Sequence, residues 1–143
     1  MVLAIAAVMV ASISFTVFQR EPTLKDQVGE LVNALRGMRS LAMLRGQPQQ
    51  VVFDLDALRA DFPSDEVVQL DRAEEMVVTS AEHQFIENRR IGITFYADGS
   101  ASGGTIRLRK GEQWQSIGIN WISGKVSIEQ AGDAELVQSG GQG

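Results

Sequence analysis

A chain of 143 residues, 44% hydrophobic and 22% charged, is long enough for one domain with a real core and is not disordered over most of its length. It has no cysteine, which excludes a disulfide framework, a thiolate metal site and a thiol nucleophile. Its net charge of −5 is uneven: residues 1–46 carry five basic and three acidic side chains, a net of +2, and the remainder carries eight basic and fifteen acidic ones, a net of −7. An acidic C-terminal domain repels phosphate backbones at long range, so no nucleic acid is expected as a partner.

Met1 to Phe18 has no charged side chain and only Ser12, Ser14 and Thr16 as polar ones. About 18 apolar residues approach the length of a bilayer-spanning helix, so residues 1–20 are expected to be a transmembrane segment. A signal peptide would need a basic start, which is missing, and a buried core helix is the other alternative.

Residues 23–46 read as an amphipathic helix. Leu24, Val28, Leu31, Leu35, Met38 and Ala42 recur at spacings of three and four, and Lys25, Asp26, Glu30, Asn33, Arg36 and Arg39 fill the other faces. Thr23 with Asp26 resembles a capping box, and Gly46-Gln47-Pro48 stops the helix. Pro22 implies a kink or a break where the two helical segments meet. A continuous rod over residues 1–45 would be roughly 68 Å long, more than a domain of this size can cover.

From Gln50 the pattern shifts to period two. Candidate strands are residues 50–54, 67–70, 76–79, 91–96, 105–109, 114–121 and 125–129, separated by the turns Asp98-Gly99-Ser100, Ser102-Gly103-Gly104, Lys110-Gly111-Glu112 and Ser123-Gly124-Lys125. The alternation puts Phe53, Ile93, Phe95, Ile106, Leu108, Ile119, Trp121 and Val126 inward, with Ile128 in phase with Val126, and lays Leu24, Leu31, Leu35 and Met38 on one sheet. The expected fold class is α+β. A long N-terminal helix, transmembrane then amphipathic, packs on an antiparallel β-sandwich at residues 47–130, with residues 131–143 as a flexible tail.

The side chains that could carry chemistry are few. His83 is the only histidine, which excludes a histidine triad or a histidine-rich metal site. Asp54-Leu55-Asp56, with Asp61 and Asp65, could offer oxygens to calcium but lacks the glycine and terminal glutamate of an EF-hand loop. Asp98-Gly99-Ser100 is a hairpin turn with no base nearby in sequence. Ser102-Gly103-Gly104 lacks the Gly-Lys-Ser/Thr of a phosphate loop. Arg107, Arg109 and Lys110 are read as a solvated strand face. No catalytic, cofactor-binding or metal residue is assigned, no cofactor is expected, and an enzyme is the weakest reading.

The run Ile91-Gly92-Ile93-Thr94-Phe95-Tyr96-Ala97-Asp98-Gly99-Ser100-Ala101-Ser102-Gly103-Gly104-Thr105-Ile106-Arg107-Leu108 resembles the signature of the GspH/FimT family of pseudopilins. Ile119-Asn120-Trp121-Ile122-Ser123-Gly124-Lys125-Val126 resembles the family's closing strand pair, and Met1 to Val10 resembles the middle of a type IV pilin-like helix. The resemblance covers about residues 1–128 and implies a pilin-like fold. It also implies a minor, tip-proximal pseudopilin of the type II secretion system that supports export of folded proteins across the outer membrane.

Implied partners are other minor and major pseudopilins, the secretion machinery and inner-membrane lipid. The implied location is the bacterial inner membrane, single-pass, with a cytoplasmic N-terminus and a periplasmic β-domain, and incorporation in the pseudopilus. The family's basic leader, its peptidase site and the methylated residue and glutamate that follow match no residue here. The alternative is a FimT-like minor type IV pilin acting in pilus assembly or DNA uptake, which would call for basic side chains on the β-domain or tail.

Overall fold

The computed structural model describes residues 21–80 and 89–129. Helix α1 runs from Leu24 to Arg45. Thr23 caps it: its hydroxyl accepts from the Asp26 N–H at 3.2 Å, and the Asp26 carboxylate accepts from the Thr23 N–H at 2.9 Å. Two of the helix's orphan donors are thereby satisfied, and a negative charge sits at the positive end of the dipole. Gly46 ends the helix in the left-handed conformation and returns its N–H to the Ala42 carbonyl.

The stripe expected from the periodicity is buried, and it also includes Gln27 and Val32. Gln27 tolerates burial because both ends of its amide are used: its nitrogen donates to Asp71 at 2.8 Å, and its oxygen accepts from the Arg72 N–H at 3.1 Å.

Eight strands follow among the described residues: β1 (Gln49–Asp54), β2 (Arg59–Asp61), β3 (Val67–Gln69), β4 (Glu75–Thr79), β5 (Arg90–Phe95), β6 (Gly104–Lys110), β7 (Gln113–Ile119) and β8 (Val126–Glu129). They form two antiparallel four-stranded sheets, in the orders β3-β2-β1-β5 and β4-β6-β7-β8. Phe53, Ile93, Phe95, Ile106, Leu108, Ile119 and Val126 are all buried and join the helix stripe in one hydrophobic core. The helix does not lie on one sheet alone. It touches β1, β3 and β5 of the first sheet and β7 and β8 of the second.

Several expectations are corrected. Among the described residues no helix is long and apolar enough to cross a membrane. The helix packed on the sheets is the amphipathic one from Leu24 to Arg45, with Lys25, Asp26, Glu30 and Arg36 on its exposed face. A long, partly transmembrane helix is therefore not the fold described, and a single-pass inner-membrane location has no support from it. The stretch Met1–Phe18 that suggested both lies outside the described residues, as do His83 and the tail at 131–143. Strand β2 was not anticipated: it is three residues long, Arg-Ala-Asp, with one buried side chain, Ala60, paired with Phe53.

Trp121 is the clearest reversal, being 65% exposed. Strand β7 stops at Ile119 because the Asn120 side-chain oxygen accepts the N–H groups of Ile122 (2.9 Å) and Ser123 (3.1 Å), curling the chain into a turn. Alternation ends there, and Trp121 rides on the turn instead of entering the core. Ile128, in phase with buried Val126, is also half-exposed, near the end of the outermost strand. Trp121→Ala is accordingly expected to change stability by no more than about 0.5 kcal/mol. Equal urea midpoints for the two proteins would show it.

Candidate assembly surface

The signature turns meet at one helix residue. Arg39 Nε donates to the Gly99 carbonyl at 3.0 Å and to the Ser123 carbonyl at 2.9 Å. One turn earlier, Arg36 gives Nε (3.2 Å) and Nη2 (3.0 Å) to the Val126 carbonyl. Two guanidinium groups on the side of α1 thus fasten the helix to the turns at 98–100 and 123–125 and to the start of β8. Hydrogen bonds with one charged partner are the stronger kind, worth about 1.5–3 kcal/mol net.

Each turn is also closed on itself. The Asp98 carboxylate accepts from the Ser100 N–H at 3.0 Å and from its hydroxyl at 2.6 Å, while the Tyr96 N–H donates to the Ser100 carbonyl at 2.9 Å. Buried Ser102 bonds twice to Thr94, accepting from its N–H through the side chain and donating through its own N–H to the Thr94 carbonyl. Gly103 has φ +75°, and a methyl group there would lie 2.8 Å from Cβ of Trp121, so the glycine lets the two signature segments touch. The Ala101 N–H completes the link to the Trp121 carbonyl at 3.1 Å.

The hydroxyl of Ser100, followed by its N–H, holds the Asp98 carboxyl below its ordinary range. A pKa lowered on folding contributes stability above the unfolded value, and that contribution is lost as pH falls through the folded one. An NMR titration should find Asp98 ionising at lower pH than a free aspartate. Ser100→Ala should raise its midpoint, and an unchanged midpoint would contradict the turn geometry.

The residues weighed as catalytic or metal-ligating are placed in other roles. Asp54 accepts the N–H groups of Asp56 (3.1 Å) and Ala57 (2.9 Å) and lies 3.9 Å from Arg90. Asp56 pairs with Arg89 at 3.3 Å, and Asp61 with Arg59 at 3.1 Å and Arg90 at 3.2 Å. Asp65 takes positive φ in the turn before β3. Among the described residues no group of His, Cys, Asp or Glu is arranged to hold a metal. Arg107 lies over the Trp114 ring at 4.5 Å, and Arg109 pairs with Glu75 and Glu74, each at 3.0 Å. Hydrogen bonding to Glu75 raises the Arg109 pKa further.

The second signature turn also carries exposed apolar side chains. Trp121 and Ile122 are 65% and 66% exposed, and Leu44 near the C-terminal end of α1 is 85% exposed. Sequence reasoning found the turns but not what joins them to the helix. Helical periodicity places Arg36 and Arg39 on the polar face and says nothing of their partners.

The model of the family described as Type II transport protein GspH matches residues 27–124. The chain belongs to the GspH family. The matched span holds most of α1, the turn at 98–100, the second turn as far as Gly124 and the arginines that fasten them. The chain is 32% identical over 93 residues to the type II secretion system protein H of Xanthomonas campestris pv. campestris. That match covers 64% of this chain and 54% of the relative, so the chain spans about half the length of the curated protein it resembles. In fold it is similar to the type IV minor pilin FimU of Pseudomonas aeruginosa, with a TM-score of 0.53 at 14% identity, over 76% of this chain and 90% of the pilin. At that identity the likeness concerns the fold alone: this GspH family domain is pilin-like.

Proposed function

We propose that this GspH family protein is a minor pseudopilin, a non-catalytic structural subunit of the type II secretion pseudopilus. It takes a tip-proximal place among other minor and major pseudopilins and supports export of folded proteins across the outer membrane. The observation that carries the reading is the family match across most of the helix and the signature turns as far as Gly124, which is where the molecule fastens its helix to its sheets. The relative in Xanthomonas, itself a type II secretion protein, supports the same system.

The FimT-like reading would need a face that attracts a polyanion, and residues 47–143 sum to −7. Deleting the gene should abolish export of type II substrates, and the full chain should restore it. Normal export combined with lost DNA uptake or lost pili would replace this reading with the FimT-like one.

A further inference from the structure

Most charged side chains on the sheets neutralise one another. Arg59, Arg72, Arg89, Arg90 and Arg109 each lie within 4 Å of a carboxylate. Arg36, Arg39 and Lys125 do not, and neither do Lys25, Arg45, Arg107 and Lys110: among the described residues none of these forms an ion pair. Arg36 and Arg39 instead donate to backbone carbonyls, which carry only partial charge. Arg36, Arg39 and Lys125 line one groove of about 530 Å³ between α1 and β8, together with Ser40, Ser123 and Val126. Among the described residues no carboxylate lines it, in a chain whose net charge is −5.

We infer that this groove receives an acidic, partly apolar segment of a neighbouring subunit in the fibre. The inference rests on the pseudopilin reading and adds to it the surface and the chemistry of its partner. Charge complementarity requires an occupant with carboxylates. The guanidinium groups are already held in place by their carbonyls, so little side-chain freedom is lost when an anion arrives. The occupant must also be apolar in part, because the turn that supplies Ser123 to the groove carries exposed Trp121 and Ile122. Arginine and tryptophan together are typical of interface centres. Three cations on an acidic molecule suit a short acidic peptide segment better than a polyanion, whose binding depends on many phosphate contacts.

The test uses the full chain in cells carrying its secretion system, with a photo-crosslinking amino acid at exposed Ser40 and, as a control, at exposed Val77 on β4. Ser40 should crosslink to another pilin-like subunit and Val77 should not. Lys125→Glu should cut the Ser40 product about tenfold, and Lys125→Arg should keep it. Lys125 is exposed and, among the described residues, bonds only through its backbone, and an unchanged urea midpoint for Lys125→Glu would exclude misfolding as the cause.

The inference is overturned if the product is with nucleic acid, if it maps to the chain's own acidic tail containing Asp133 and Glu135, or if Lys125→Glu leaves it intact. A chain that co-isolates with pseudopilins but gives no product from Ser40 sinks the groove and leaves the pseudopilin reading standing. A chain that does not co-isolate, and whose deletion leaves export normal, sinks both.

Discussion

Phe53→Ala is expected to lower the unfolding free energy by about 3–5 kcal/mol, the range for deleting a buried aromatic ring. Phe53 is fully buried on β1, which has β2 on one side and β5 on the other and is touched by α1. Its neighbours in register, Ala60 and Ile91, are themselves buried and sit in paired strands, so they cannot close around the space a ring would leave. Such a loss is a large part of the roughly 5–15 kcal/mol that holds a domain of this kind together. Urea unfolding should show a lowered midpoint with an unchanged slope. A shift of less than about 1 kcal/mol would mean that the core is looser than the burial describes.

Gly124→Ala should rank next, although it adds a single methyl group. Gly124 has φ +67°, and holding a residue with a Cβ in that region costs on the order of 1–3 kcal/mol. The new methyl would also run into the Gly99 carbonyl oxygen and come within 3.1 Å of Arg39 Cδ. Those are the groups that join helix and turns, so relieving the collision stretches the Arg39 bonds to Gly99 and Ser123. Gly111→Ala is the control, since it has a similar φ of +62° but nothing within 4 Å. Gly124→Ala should destabilise more than Gly111→Ala in the same urea series. Equal losses would show that backbone conformation alone, and not the contact with Gly99 and Arg39, sets the requirement for glycine.

Much of the fold was legible wherever one face of an element is buried over several residues. The stripe from Leu24 to Ala42 is a direct imprint of core contact, and Ile91, Ile93 and Phe95 are buried as expected, although Gly92 and Thr94 between them are buried as well. The sequence is less informative where a local interaction overrides the period. Asn120 captures two N–H groups and ends β7 two residues before the apolar alternation does, which sends Trp121 to the surface. Gln27 looks like a surface residue until Asp71 and the Arg72 N–H are brought to it from more than forty positions away. The same holds for the site. Its turns are local and could be found from glycine chemistry, but Arg36 and Arg39 reach partners 60 to 90 residues on, and no spacing rule connects them.

Strand β8 is the last in its sheet, and an outermost strand ordinarily offers its free carbonyls as a template on which a foreign strand can add. Here Arg36 occupies the Val126 carbonyl with two of its nitrogens, and charged Lys125 and Glu129 bracket the strand's apolar residues. Lysine and other charges at such a border are among the usual protections against sheet-to-sheet polymerisation. On the proposed pseudopilin role, a molecule stacked with others at high local concentration would thereby be barred, along this border, from the uncontrolled route to a fibre. What is left for ordered stacking is recognition through side chains. Removing the Arg36 guanidinium should therefore not only loosen the helix but also make the purified chain prone to form thioflavin-positive aggregates.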